Sequence, residues 1–177
     1  MLRYFAAGCT ALMLGAGVVA AQDEPFGTQA DADYAQQLWE AMKASNLAGE
    51  NAIRTIPYEG TEPHGMLLET FFADAEIEGH IGALVIKRNY GPEGVTPEEV
   101  QADPDKHLAA VTIMYRREEG YDADNGNWFW VKYLPDGSLD KNPAGMQLAG
   151  RVAKGADAGC IACHAGAPGE DYLFTTD

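Results

Sequence analysis

Ala83-Leu84-Val85-Ile86-Lys87-Arg88-Asn89-Tyr90 is a short aliphatic and aromatic run that opens after Gly82 and closes at Gly91-Pro92. A run of this composition between turn residues reads as a β-strand. Three others share its character: Met66 to Phe72, Leu108 to Arg116 and Trp128 to Leu134, each bounded by Gly, Pro, Asn or Asp. Their connections agree, since Asp122 to Asn127 is a polar, glycine-containing loop and Pro135-Asp136-Gly137 is a turn. Strands joined so briefly must pair antiparallel. A further short strand at Ala52 to Ile56 would bring four strands to five.

Outside this block the period changes. Asp31 to Lys43 carries Tyr34, Leu38, Trp39 and Met42 at helical spacing, with Asp31 or Asp33 as N-cap and the aromatic stripe packed on the core. Gly91 to Pro104 is a longer insertion, a lid or a solvated loop, with one helical turn at Pro97 to Ala102. From Asn142 the pattern turns helical again: Pro143 is a helix start, and Met146, Ala149, Arg151 and Val152 lead into a glycine-rich approach to Cys160. The expected fold class is therefore α+β, mainly an antiparallel β-sheet of 4–5 strands with flanking helices.

Residues 1–21 read as a secretory signal peptide, with Arg3 in the positive region, Ala6 to Val19 as the apolar region, and Val19-Ala20-Ala21 as a small-residue cleavage site. Residues 22–177 then form a single domain, exported to the periplasm with no membrane anchor. Acidic residues number 27 against 12 basic ones, a formal net charge of −15. That balance argues against a nucleic-acid partner and suits either plain solubility or attraction of a basic redox partner protein such as a cytochrome.

Cys160-Ile161-Ala162-Cys163-His164 has the spacing of a c-type heme attachment site. Two thiols one helical turn apart can both reach one porphyrin edge, and the next residue, His164, presents an imidazole to the iron. A redox dithiol does not need the histidine, and no second cysteine pair exists to complete a four-thiolate zinc site. Removal of the leader takes Cys9 with it and leaves both remaining cysteines in the motif, so the mature chain has no structural disulfide. The expected cofactor is heme c, bound covalently through Cys160 and Cys163 and ligated by His164.

No Met or His follows His164. Any second axial ligand must come from upstream, where His64, His80, His107, Met66, Met114 and Met146 are the candidates. Each of these also reads as a core methionine or a surface histidine, so an open axial position, suited to ligand binding or chemistry, is a live expectation.

The strand-rich middle separates this chain from four-helix cytochromes with a C-terminal attachment motif. Its organisation resembles the cytochrome P-460 family, which includes the β-sheet cytochromes called cytochrome c′-beta. The resemblance covers about Pro63 to Phe174. It rests on Pro63-His64-Gly65, Gly82 to Tyr90, Gly126-Asn127-Trp128-Phe129-Trp130, and Cys160 to His164 followed by Asp171-Tyr172-Leu173-Phe174, in that order. It implies a mostly antiparallel β fold with flanking helices, a five-coordinate heme on His164, and often a homodimer.

The resemblance also offers two activities. In catalytic members, a lysine on a strand that starts with Gly bonds to a porphyrin meso carbon, and the modified heme oxidises hydroxylamine. Lys87 stands where that lysine is expected, although Ala83 replaces an expected Thr. Lys87 and Arg88 have opposite parity, so only one of them points into the domain. Parity alone does not decide which, because Val85 on one face and Leu84 and Ile86 on the other are all apolar. Glu69, Gln147 and Arg151 are the candidate distal groups; Glu69 alone could serve as a base at neutral pH. The competing reading is a nitric oxide binder or sensor like cytochrome c′-beta, whose distal face is capped by aromatics; here that would be Phe71 or Phe72. A third reading, plain electron transfer, needs an upstream methionine ligand such as Met146.

Overall fold

The computed structural model describes residues 25–169 and 171–174; the expected leader lies outside them. Helix α1 (Gln29–Ala44) begins earlier than the acids alone suggested. Thr28 is the N-cap, its hydroxyl accepting from the Asp31 N–H at 3.1 Å while the Asp31 carboxylate accepts from the Thr28 N–H at 3.1 Å, a closed capping box.

Six strands form one sheet in chain order: β1 (Tyr58–Glu59), β2 (Leu67–Ile77), β3 (His80–Tyr90), β4 (Leu108–Arg116), β5 (Trp128–Tyr133) and β6 (Ala149–Gly150). Every neighbouring pair is antiparallel. The count exceeds the expected four to five because two-residue strands close both edges, and Ala52 to Ile56 is not one of them. β2 and β3 are also longer than their sequence runs. Ile77 pairs with His80 across Glu78-Gly79, whose φ values of 54° and 82° meet the demand of a two-residue hairpin turn for positive φ at both positions.

The insertion between β3 and β4 holds two short helices, α2 (Pro97–Ala102) and α3 (Pro104–His107), the first at the expected turn. The helix expected after Pro143 does not form. The Asn142 carboxamide oxygen accepts from the N–H groups of Ala144 (3.0 Å) and Met146 (2.9 Å), which holds a tight turn and returns the chain to β6.

Register assigns the two faces of the sheet. Leu84 and Ile86 of β3, Val111, Ile113 and Tyr115 of β4, and Phe129, Val131 and Tyr133 of β5 join Tyr34, Leu38, Trp39 and Met42 of α1 in the main core. The opposite face carries a second cluster of Val85, Met114, Trp128 and Trp130. Against it packs Ile161, from the short helix α4 (Cys160–His164).

Candidate functional site

Helix α4 is one turn long and has no side-chain cap, so its position is set from outside. Ile161, 6% exposed, is its anchor in the second cluster, and its N–H donates to the Val152 carbonyl at 3.1 Å. The helix is entered through Gly159 at φ 128°, where a Cβ would lie 2.7 Å from the Cβ of Ala153. Upstream, the Lys154 ammonium pairs with the buried Asp122 carboxylate, which also accepts from the Asn125 side chain at 2.9 Å. The approach loop is thereby tied to the β4–β5 loop.

The chain then folds back over α4. The Trp128 indole donates to the Asp171 carbonyl at 3.0 Å, and Tyr172 donates its hydroxyl to the Asp124 carbonyl at 3.1 Å. This delivers the Tyr172 carbonyl to within 2.7 Å of His164 Nδ1. A carbonyl only accepts, so Nδ1 carries the proton and Nε2 keeps its lone pair. The His164 ring is enclosed by Trp130, with ring centres 4.8 Å apart, and by Phe174 at 5.4 Å. Burial, with the Lys87 charge adding to it, holds the imidazole below its usual pKa despite the Tyr172 carbonyl.

Lys87 and Arg88, adjacent in sequence, are separated by the sheet. Arg88 turns under α1, where it donates to Glu69 at 3.2 Å and to the Leu47 carbonyl at 2.8 Å and covers the Phe71 ring at 4.8 Å. Lys87 lies on the α4 face, in register between Thr70 and Thr112. Burial lowers its ammonium pKa, an effect the neighbouring Cys163 opposes, and its charge reaches both His64 and His164.

The expected distal groups are not brought to this place. Glu69 is fully buried on the α1 face. It accepts from Arg54 at 3.1 Å, from Arg88, from the Thr55 N–H at 3.0 Å and from the Tyr90 hydroxyl at 2.6 Å. Burial pushes its pKa up, and the bonds from Tyr90, Thr55 and Arg54 outweigh that and hold it below the usual value. Such a carboxylate is a structural counter-ion, shielded by the sheet from α4. Gln147 lies beside the start of α1, in a shallow hollow with Gln29, Asp33 and Gln36, while its neighbours Met146 and Leu148 pack on the second cluster. Arg151 sits near Tyr121, on the main-core side, and is on no helix. Of the two phenylalanines, Phe71 packs against the main core, whereas Phe72 pairs with Val85 on the α4 face and is exposed.

His64 does reach the site. Its ring centre is 6.0 Å from that of His164, with the planes at 87°, and its Nδ1 is 3.2 Å from the Thr112 hydroxyl. Pro63-His64-Gly65 was visible in the sequence, but only the return of the loop across β3 and β4 brings this histidine to the other. Trp130 was likewise visible only as a strand residue. Its ring packs against His164, and its indole N–H is buried and has no partner.

These residues fit a covalently held heme. The thiols are free and one helical turn apart. Burial raises the Cys160 thiol to about 11, the reverse of what a reactive redox thiol requires. His164 Nε2 is available, the surrounding face is apolar, and the Trp130 N–H lacks an acceptor such as a carboxylate group could provide. Among the described residues, no group of three or more His, Cys, Asp or Glu could hold a bare metal ion. Nor is any helix there long and apolar enough to cross a membrane.

No curated protein and no solved structure matches the chain. The family model described as Cytochrome P460 matches residues 61–175, a stretch that runs from the His64 loop through all five longer or edge strands after β1 to the tail over His164. With that match joined to the open antiparallel sheet and the short helix α4 on its second face, the chain belongs to the cytochrome P460 family, whose members bind heme c.

Proposed function

We propose that this chain is an exported mono-heme cytochrome that oxidises hydroxylamine, or a related small nitrogen species, and passes the electrons to an external acceptor protein. Heme c would be held by thioether bonds to Cys160 and Cys163, with His164 Nε2 on the iron. Bound there, heme supplies an iron that takes a small nitrogen ligand and relays its electrons outward.

The observation that carries the catalytic reading is the side of the sheet on which Lys87 lies. Its amine shares the α4 face with Cys163 and His164, and burial favours its neutral, nucleophilic form. That is the state required for a third covalent tether, to a porphyrin meso carbon, whose formation would release the carbon's hydrogen and one amine hydrogen as protons and two electrons to the external acceptor. The Tyr172 carbonyl fixes the tautomer of His164, and Trp130 and Phe174 hold its ring in place.

Tryptic mapping of the purified holoprotein tests the tether: the Lys87 peptide is expected to carry heme mass together with the Cys160 peptide. Recovery of that peptide unmodified would remove the cross-link. Turnover of hydroxylamine with a dye acceptor, expected for wild type and lost in Lys87→Ala, tests the activity.

A second reading is favoured by Phe72, an exposed aromatic on the α4 face beside Val85. An aromatic there is suited to cap a heme that binds nitric oxide without turning it over. Tight nitric oxide binding without hydroxylamine turnover would select this reading.

A further inference from the structure

We propose that this chain holds a second ligand site, on the α1 face of the sheet and apart from the heme, that takes a small organic carboxylate with an apolar body. Beyond the closed core, at the C-terminal end of α1, lies a cavity of about 790 Å³, a size that suits a small-molecule ligand. Neither cysteine of the attachment motif lines it, and nor does His164.

The charges at its floor do not balance. Arg88 pairs with the fully buried Glu69 at 3.2 Å, and the same carboxylate accepts from Arg54 at 3.1 Å. Two guanidiniums thus share one carboxylate. Arg88 is further satisfied by the Ile53 and Leu47 carbonyls. Arg54 is not: its Nε meets Glu69, its Nη2 meets the Tyr90 hydroxyl at 3.0 Å, and its Nη1 has no acceptor among the described residues. This side chain lines the cavity and is a third exposed. The other carboxylates that line the cavity among the described residues, Glu50, Asp105 and Asp136, are all exposed, and none pairs with either arginine. Lys43, the remaining cation, is exposed and pairs with Glu40 at 3.1 Å. Water screens such charges at the mouth more than one beside a buried ion pair. One positive charge is therefore left over at the floor, on a planar fork suited to a carboxylate.

The walls suit an apolar body. Trp39, Leu108 and Val111 line the cavity beside Pro104 and Pro135, and Trp39 is braced by Tyr133, with ring centres 4.8 Å apart. An inorganic anion would leave this surface unused, and a dianion would bring a second negative charge toward the acids at the mouth. The loop that forms one wall is held in place. The Ala52 N–H donates to the Gly49 carbonyl at 3.1 Å, the Ile53 N–H to the Asn46 carbonyl at 2.8 Å, and the Thr55 N–H to Glu69 at 3.0 Å. Tyr90 steadies the Arg54 fork, its ring centre lying 5.5 Å from the guanidinium carbon. A wall ordered before binding spares the ligand that entropic cost.

Isothermal titration calorimetry of the holoprotein tests the site, with benzoate and 2-naphthoate as probes against the uncharged benzamide and 2-naphthamide and against inorganic phosphate. Saturable binding of at least one carboxylate is expected, about tenfold or more tighter than its amide. Ala52→Phe, which fills the cavity and leaves Glu69 with both arginines, should abolish it. Arg54→Lys, which keeps the charge and loses the fork, should weaken it by roughly tenfold. Circular dichroism shows whether each variant is folded, and either one that is folded decides. No saturable binding of either carboxylate to wild type overturns the proposal, as does equal affinity for acid and amide or tighter binding of phosphate. Binding unaltered in a folded variant overturns it too. Hydroxylamine turnover is read in none of these, so the site stands or falls apart from the proposed activity.

Discussion

A guanidinium buried beneath α1 needs a carboxylate, and Glu69 stands directly across from Arg88 in the β2–β3 register. Removing one partner of a buried pair leaves the other charged and unsolvated, at about 3–5 kcal/mol. Glu69→Gln strands both Arg88 and Arg54, and a loss of that order is expected in urea denaturation, with the optical spectrum of the heme unchanged. Loss of turnover at unaltered stability would instead return Glu69 to the active face. The pH dependence has a definite sign. Because the folded carboxylate titrates below its ordinary value of 4.5, its contribution is complete above that pH and disappears as pH falls through the lowered value. Wild type and Glu69→Gln should therefore converge in stability in acid. The same pair explains what the sequence left open. Apolar residues occupy both faces of β3, so parity could not choose between Lys87 and Arg88. The choice is made by Glu69 across the strand and by the Leu47 and Ile53 carbonyls, which only tertiary pairing brings there.

Elements with a long repeated pattern were legible, and those fixed by one side chain or one φ angle were not. Helix α1 declares itself through Tyr34, Leu38, Trp39 and Met42, all buried, and the four longer strands through their β-branched and aromatic runs. The stretch after Pro143 contains helix-compatible residues, yet the Asn142 side chain captures its N–H groups and makes a turn; this is a competition that composition does not weigh. Consequently Gln147 and Arg151, placed by a helix that does not exist, fall away from α4. Helix α4 itself is too short to be stable alone and depends on its entry. Gly159→Ala adds a side chain at φ 128° and against Ala153, a strain of about 1–3 kcal/mol. Displacement of α4 from its seat is expected, measured as a lower ratio of heme to protein and a lower Tm. Full heme content with unchanged melting would show that the approach loop, not Gly159, sets the position.

The molecule as a whole is one sheet with unequal faces. The face under α1 is closed by its own side chains, a continuous core from Tyr34 to Tyr133 that involves neither cysteine nor His164. The other face has fewer buried residues, and two of the three buried polar side-chain atoms without a partner among the described residues, Trp130 Nε1 and Asn89 Oδ1, lie on it, the third being the Tyr121 hydroxyl beside the main core. Buried orphans of this kind are costly unless something satisfies them, so that face is the one whose completion depends on what binds it. Folding and heme attachment should then separate. In Cys160→Ala/Cys163→Ala, which cannot form the thioethers, the sheet and α1 are expected to remain, with native far-UV circular dichroism and a cooperative but lower thermal transition. The weakened part should be local: the segment from Gly159 to Phe174, which reaches the sheet through Ile161, the Trp128 indole and the His164–Tyr172 bond, should become the first site of limited proteolysis. A double variant without a cooperative transition would show instead that the α1 core cannot stand alone and that heme is part of the folding nucleus.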